Sequence, residues 1–141
     1  MDQKIKVAVI GTGALGKHHA RIYAELAKEG LIECVGVYDQ NISAAKEVAN
    51  QHRIPLLQTM EEATEFAHAL SVVTPTITHF SIASGLLEKG KHLLVEKPMT
   101  DNTEQAKHLV ELACKKNCVL QIGHVERFNP VFTYLNASAK E

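Results

Sequence analysis

The sequence predicts a doubly wound α/β fold, in which a parallel sheet of about six strands is covered by helices on both faces. Short runs rich in β-branched residues alternate with segments of helical periodicity along the chain, an order typical of βαβ units. The first apolar run ends in a glycine-rich turn at Gly11–Gly16 (GTGALG), and the second ends in Asp39.

The predicted elements follow one another in strict alternation. The strands are Lys4–Ile10, Ile32–Tyr38, a weak third at Ile54–Leu57, then Ala69–Val73, Lys91–Val95 and Val119–Gly123. Each is short and apolar, as expected of strands buried on both faces. The helices are Ala14–Glu29, Ile42–Gln51, a short one behind a capping box at Thr59 and Glu62, Thr78–Lys89, and one capped by Asn102. The tail Val125–Glu141 is the only region left without a predicted element.

The composition is that of one ordinary globular domain, with 141 residues, 45% hydrophobic residues and a net charge of -1. The chain has no basic run suited to nucleic acid, no apolar stretch near the ~20 residues of a membrane span, and no signal peptide. Its three cysteines, Cys34, Cys114 and Cys118, suit neither a disulfide framework nor a zinc site. We therefore expect a cytoplasmic protein with no metal, nucleic-acid or membrane partner.

The turn GTGALG is typical of a dinucleotide-binding loop, because it follows a strand and begins a helix. An acidic residue, Asp39, also follows it about 20 residues later, at the end of the next strand. Gly11 permits the tight turn, Gly13 has no side chain to block a pyrophosphate, and Gly16 lets the helix pack close to the strand. Backbone N–H groups and the positive end of the helix dipole would hold the phosphates. The sequence therefore predicts a Rossmann fold whose cofactor loop comprises Gly11, Thr12, Gly13, Ala14, Leu15 and Gly16.

Asp39 favours NAD over NADP. A carboxylate at the end of the second strand accepts hydrogen bonds from the adenosine ribose and repels a 2′-phosphate. The next residues, Gln40 and Asn41, supply no arginine to neutralise that phosphate. The alternative is that Asp39 helps to cap the helix that begins near Asn41, and the two roles are compatible.

Two further segments are expected at the carboxyl ends of the strands, where ligands bind in a doubly wound sheet. Thr74-Pro75 closes the fourth predicted strand, and Glu96-Lys97-Pro98 closes the fifth. Lys97 would then face the nicotinamide end of the cofactor, although a lysine before a proline is also a common surface-loop feature.

The eight histidines fall into three groups. His79 and His124 are expected near the ligand edge, and His18 and His19 are adjacent on the first helix and make a poor metal pair. The others are expected to be solvated or at an edge of the sheet: His52, His68, His92 and His108.

Four blocks of sequence, GTGALG, VVTPTITH, LVEKPMT and QIGHVERFNP, together resemble the family of glucose–fructose oxidoreductases, inositol dehydrogenases and rhizopine-catabolism proteins (Gfo/Idh/MocA). The resemblance runs from about Ile5 to Pro130, and its E-K-P triplet is the hallmark of the family. The last block is most similar to the branch that acts on UDP-N-acetylhexosamines, such as UDP-N-acetylglucosamine 3-dehydrogenases.

The resemblance implies roles for individual residues. Lys97 would correspond to the conserved lysine that contacts the substrate hydroxyl and helps to move its proton, and it is the predicted catalytic residue. Glu96 and Pro98 would shape the nicotinamide site, with the Lys97–Pro98 bond in the cis form. The residues bordering the cofactor would be Thr74, Pro75 and His79.

The resemblance also implies a domain organisation. Residues 1–124 would form the cofactor domain, and residues 125–141, with Arg127 and Asn129 near the substrate mouth, would lead to a C-terminal domain that this chain lacks. In the full-length parent, for which an oligomer is possible, hydride would pass between NAD and a secondary alcohol of a sugar, polyol or nucleotide sugar. The chain alone would bind NAD without turnover. The alternatives are a stand-alone NAD-binding module without catalysis and a reductase of the same fold acting on an imine or a tetrapyrrole.

Overall fold

The computed structural model describes residues 3–139; residues 1–2 and 140–141, at the outer ends of the predicted domain and crossover segment, lie outside the described residues. The strands are β1 (Ile5–Ile10), β2 (Ile32–Tyr38), β3 (Ala69–Val72), β4 (His92–Val95) and β5 (Leu120–Ile122). The helices are α1 (Gly16–Lys28), α2 (Ile42–His52), α3 (Met60–Phe66), α4 (Thr76–Glu88), α5 (Thr103–Lys115) and α6 (Pro130–Ser138). None of the helices within residues 3–139 is long and apolar enough to cross a membrane.

The strands form one parallel sheet in the order β2-β1-β3-β4-β5, which confirms the doubly wound class. Successive side chains of β1 enter different cores, with Ala8 and Ile10 in one apolar cluster and Val9 in the other. This alternation explains why the run is apolar throughout, since both faces of the strand are buried. Because β1 pairs with β2 on one side and β3 on the other, the strand order reverses there and opens a crevice at the carboxyl ends.

The predicted third strand at Ile54–Leu57 is wrong, and the sheet has five strands rather than about six in the described part of the chain. The segment pairs with β2 through a single bridge at Val37, whose amide donates to the Pro55 carbonyl at 3.0 Å and whose carbonyl accepts from the Leu57 amide at 2.9 Å. Pro55 has no N–H to donate to a ladder, so the segment cannot continue the pairing. The carbonyl oxygen of Pro55 also lies so close to β2 that a Cβ added at Gly36, where φ is +138°, would be 2.5 Å from it.

The helix starts agree closely with the capping signals in the sequence. The side chain of Thr59 accepts a hydrogen bond from the Glu62 amide at 3.1 Å, and that of Asn102 accepts from the Gln105 amide at 3.0 Å. Both are typical N-cap contacts, and both were predicted. Predicted and observed bounds of the helices differ by no more than one or two residues where they differ.

The tail contains a 3-10 turn at Val125–Phe128 followed by α6, which packs against that turn. Asn129 caps α6 by accepting from the Val131 amide at 3.0 Å, and Pro130 occupies the first helical position, where its missing N–H costs nothing. The apolar side chains of this region are largely exposed: Val125, Phe128, Val131, Phe132, Tyr134 and Leu135.

Candidate cofactor and active site

A cleft of about 670 Å³ opens at the carboxyl ends of the strands, where the order of the sheet reverses. Ten of the predicted site residues line it: Gly11, Gly13, Ala14, Leu15, Asp39, Thr74, Pro75, His79, Glu96 and Lys97. Three others, Thr12, Gly16 and Pro98, lie next to lining residues in the chain. Apolar lining that the sequence did not single out comes from Met60 and Ile82, which suits a cleft for a flat aromatic ring system.

The glycines of the loop have different structural roles. A Cβ at Gly11, where φ is +95°, would lie 2.3 Å from the Val73 carbonyl oxygen, and a Cβ at Gly16 would lie 1.9 Å from the Gly11 carbonyl oxygen. The close approach at Gly16 is therefore to the loop that leaves β1, rather than to the strand itself. At Gly13 a Cβ would meet no atom within 4 Å. The fold requires the outer two glycines, whereas Gly13 borders open space in the cleft.

The amino terminus of α1 faces the cleft and has no side-chain cap. Leu15 precedes the helix without making a cap hydrogen bond, and the first turn contains no acidic residue. A helix start leaves its first N–H groups without intrahelical partners and carries a partial positive charge. This terminus is therefore suited to a pyrophosphate.

Asp39 holds the glycine loop against the end of β2. Its Oδ2 accepts hydrogen bonds from the Thr12 amide at 2.7 Å and the Thr12 hydroxyl at 3.0 Å, and its Oδ1 accepts from the Asn41 amide at 2.9 Å. The cap of α2 is the Asn41 side chain, which accepts from the Ala44 amide, so Asp39 supports the cap only indirectly. A carboxylate has about four lone-pair sites, which leaves capacity for a ribose hydroxyl.

His79 ties the turn after β3 to the turn after β4. The ring is 1% exposed, with Nδ1 3.0 Å from the Pro98 carbonyl oxygen and Nε2 2.8 Å from the Thr74 carbonyl oxygen. Carbonyl oxygens only accept, so both contacts are hydrogen bonds when each ring nitrogen carries a proton. The peptide bond that joins Lys97 to Pro98, one of the two residues whose carbonyls contact the ring, is cis, as predicted.

Glu96 and Lys97 differ sharply in exposure although they are adjacent. Glu96 is buried, and its Oε2 accepts a hydrogen bond from the Lys97 amide at 3.2 Å. The Lys97 side chain is exposed and lines the cleft. The structure thus places a fixed carboxylate behind a free amine at the predicted nicotinamide edge.

A polar cluster that the sequence analysis missed lies behind Glu96. The ring of His19 contacts Glu96 through Nε2 at 3.1 Å and the Ser71 hydroxyl through Nδ1 at 3.2 Å, and Ser71 also contacts the Tyr23 hydroxyl at 2.7 Å. Burial raises the pKa of the Tyr23 hydroxyl above its usual value. The sequence contained one signal of this cluster: Ser71 is a polar residue within an apolar buried strand, and a buried polar side chain needs a hydrogen-bond partner.

In the described part of the chain, the remaining histidines do not line the cleft. The rings of His68 and His92 accept hydrogen bonds from backbone amides at the amino ends of the strands, at 3.2 and 2.9 Å, which agrees with their predicted edge positions. His124 and Arg127 are exposed in and beside the 3-10 turn, and Asn129 donates from its side chain to Glu126. Within residues 3–139, the lining of the cleft includes none of these.

The fold, the glycine loop at a helix start and the acidic residue after β2 define a domain that binds a nicotinamide dinucleotide. The sequence profile of the Gfo/Idh/MocA family, an oxidoreductase family with an NAD-binding Rossmann fold, matches residues 5–124. The chain belongs to this family, and NAD is its cofactor.

UDP-N-acetylglucosamine 3-dehydrogenase of Acidithiobacillus ferrooxidans is 38% identical over 131 residues, which are 93% of this chain and 40% of that enzyme. Its solved structure superimposes with a TM-score of 0.87 at 36% identity, covering 97% of this chain and 44% of that one. The NAD(+)-dependent scyllo-inositol 2-dehydrogenase of Bacillus subtilis is 30% identical, covering 94% of this chain and 39% of that enzyme.

The structure of GenD2 from gentamicin A biosynthesis, in complex with NAD, superimposes with a TM-score of 0.85 at 28% identity and covers 95% of this chain and 38% of that one. The chain spans about 40% of the length of the curated relatives described above. It is an NAD-binding oxidoreductase domain related to sugar, polyol and nucleotide-sugar dehydrogenases.

Proposed function

We propose that this chain is the cofactor domain of a dehydrogenase that transfers hydride between NAD and a secondary alcohol of a sugar, polyol or nucleotide sugar. The observation that carries the proposal is the position of Lys97, which lies exposed on the cleft directly after β4 and beside buried Glu96. The family and the activities in the names of two curated relatives support the same conclusion. Neither relative supports the stand-alone module without catalysis.

The cleft fits the cofactor at both ends. The open space at Gly13 and the uncapped start of α1 suit a pyrophosphate. We assign the adenosine ribose to Asp39 and the pyrophosphate to the loop, which comprises Gly11, Thr12, Gly13, Ala14, Leu15 and Gly16. The residues assigned to the nicotinamide end are Thr74, Pro75, His79, Glu96, Lys97 and Pro98.

Lys97 is the proposed catalytic residue. When bound at this edge, NAD would supply the hydride acceptor, and the hydroxyl proton of the same alcohol would also have to leave. The Lys97 amine would accept that proton at its Nζ atom when it is unprotonated. Glu96 accepts the Lys97 amide hydrogen, so it restrains the backbone from which the amine extends.

The test uses the full-length parent with UDP-N-acetylglucosamine, myo-inositol and glucose, and follows the absorbance of NADH. We expect oxidation of at least one of them, with Lys97→Ala lowering kcat about 100-fold or more, at the lower end of the range for general acid–base catalysis, while NADH affinity is kept. Lys89→Ala, at an exposed lysine just beyond α4, is the matched control. A Lys97→Ala variant with normal kcat would contradict the assigned role.

We further propose that the 141-residue chain binds NADH but does not oxidise these substrates. Lys97 is exposed, so the described residues do not enclose a sugar beside it, and positioning alone is worth ~7–11 kcal/mol of barrier. The measurement is NADH production by the purified chain with each substrate in large excess. Turnover above ~1 s⁻¹, the low end of ordinary enzymes, that disappears in Lys97→Ala would contradict this proposal.

Asp39 should make NADH bind more tightly than NADPH. A like-charge contact near a protein surface costs on the order of 1–4 kcal/mol, so we expect a preference of about tenfold or more. Since Asp39 also holds the Thr12 amide and hydroxyl, Asp39→Ala would disturb the loop itself. Asp39→Asn is the sharper variant, because it removes the charge and keeps an acceptor oxygen.

The quantity to compare is the ratio of NADH to NADPH dissociation constants, obtained by fluorescence titration. We expect the ratio to approach one in Asp39→Asn, even if both affinities change. Gln40→Ala, at a neighbouring residue that also lines the cleft, should leave the ratio unchanged. An unchanged ratio in Asp39→Asn would show that the carboxylate charge does not select the cofactor.

We also propose a domain organisation, a location and a set of partners for this chain. Residues 1–124 would form the cofactor domain and residues 125–141 would lead to a second domain, which the exposed apolar side chains of α6 support. The cytoplasmic location is supported by Cys34, Cys114 and Cys118, which are free thiols in the described chain. The substrate would be the only partner of the domain apart from the cofactor and any second copy of the parent.

A further inference from the structure

A continuous row of four polar side chains crosses the interior from α1 to the end of β4. The Tyr23 hydroxyl lies 2.7 Å from the Ser71 hydroxyl, which lies 3.2 Å from Nδ1 of His19. Nε2 of His19 then lies 3.1 Å from Oε1 of Glu96. Ser71 is fully buried and Glu96 is 7% exposed, so solvent does not substitute for these contacts.

One arrangement of protons satisfies the whole row. The ionised Glu96 carboxylate only accepts, so Nε2 of His19 donates to it, and Nδ1 is then free to accept from Ser71. The Ser71 oxygen in turn accepts from Tyr23, whose pKa is raised by burial and which keeps its proton. Every hydroxyl donates once, and bonds in such a row strengthen one another in a low-dielectric interior.

The row ends on a carboxylate that is restrained from three sides. Oε1 of Glu96 is held by His19, and Oε2 accepts the Lys97 amide hydrogen at 3.2 Å. The third side is Gly123 after β5, where a Cβ would lie 2.7 Å from Oε1. Movement of the Glu96 carboxylate therefore moves the backbone of Lys97.

His19 lies on the first turn of α1, three residues after Gly16, which closes the glycine loop. The helix that presents its amino terminus to the pyrophosphate is thus bonded directly to the residue before Lys97. We infer that His19 is a positioning residue, which sets the distance between the bound cofactor and the Lys97 amine through its hydrogen bond to Glu96. The inference rests on the proposed function, since it takes Lys97 as the group that moves the substrate proton.

Two substitutions test the contacts of the two ring nitrogens of His19 separately. In His19→Gln the side-chain amide reaches the position of Nε2 and can still donate to Glu96. In His19→Asn the shorter amide reaches only the position of Nδ1, so the contact to Ser71 is kept and the one to Glu96 is lost. His18→Asn, at the exposed neighbour on the same helix, is the matched control.

The variants are made in the full-length parent and assayed with whichever of UDP-N-acetylglucosamine, myo-inositol and glucose it oxidises fastest. We expect His19→Asn to lower kcat about 10- to 100-fold, as a misplacement near 1 Å does, with the KM for NAD changed less than about threefold. His19→Gln should keep at least about half of the wild-type kcat, because its amide can still donate to Glu96, and His18→Asn should match the wild type.

The outcomes separate this inference from the proposed function. If Lys97→Ala keeps normal kcat, the proposed function fails whatever His19 does. If Lys97→Ala is inactive and His19→Asn is as active as the wild type, positioning by His19 is overturned. Equal losses in His19→Gln and His19→Asn, together with an equal fall in melting temperature, would also overturn it, because they would show a purely structural role.

Discussion

Replacing Gly13 with alanine should strongly weaken NADH binding while the fold stays intact. The added methyl group would meet no protein atom within 4 Å, so the chain accommodates it without rearrangement. It would instead occupy open space at the cleft, where we propose that the pyrophosphate binds. We expect the dissociation constant for NADH to rise at least about 100-fold, which is ~2.7 kcal/mol of binding free energy.

Two further glycine substitutions serve as controls for the fluorescence titration. Gly85→Ala, in α4, also meets no atom within 4 Å, and it should stabilise the protein by about 0.5–1 kcal/mol without affecting NADH. Gly16→Ala places a methyl group 1.9 Å from the Gly11 carbonyl oxygen and should lower stability as well as binding. A Gly13→Ala variant with wild-type NADH affinity would show that the pyrophosphate does not approach the loop at this residue.

Replacing His79 with alanine should lower the free energy of unfolding by about 3 kcal/mol or more. The substitution removes the contacts of the ring to the Thr74 and Pro98 carbonyl oxygens, and a hydrogen bond of this kind contributes ~0.5–1.5 kcal/mol. The vacated volume adds a cavity cost. Since a domain of this size is stable by only ~5–15 kcal/mol, a substantial part of its stability would be lost.

The measurement is urea unfolding followed by circular dichroism, with the midpoint as the readout. His108→Ala is the matched control, because His108 is exposed on α5 and only stacks edge-on against Phe80 at 5.5 Å. It should cost less than about 1 kcal/mol, as surface substitutions do. Equal midpoints for the two variants would mean that the buried hydrogen bonds of His79 contribute nothing net.

Much of the fold could be predicted because its signals are local. Five strands, the capping residues Thr59 and Asn102, and the glycine loop are each specified by a few neighbouring residues. The prediction of a strand at Ile54–Leu57 was wrong because it gave the apolar run more weight than Pro55, which cannot donate to a ladder. The start of α6 was missed although Asn129-Pro130 is a typical cap followed by proline at the first helical position.

The site residues at the ends of the strands could be predicted from the sequence, whereas the buried polar contacts behind Glu96 could not. Residues that follow strands meet at one edge of a parallel sheet, so Asp39, Thr74 and Glu96 could be grouped from position alone. The partner of His19 lies 77 residues away along the chain, and no periodicity links the two. Which buried histidine meets which carboxylate depends on packing in three dimensions, so it became visible only in the structure.

The exposed apolar side chains of α6 and the preceding turn also affect how this chain behaves in a test tube. Phe128 is 79% exposed and Tyr134 72% exposed, with Val131, Phe132 and Leu135 also exposed nearby. Exposed apolar side chains that lie close together in the chain favour self-association, and aggregates in a concentrated sample would scatter light and distort fluorescence titrations. Dilute samples, checked by light scattering, are therefore the ones in which cofactor affinity reflects the cleft alone.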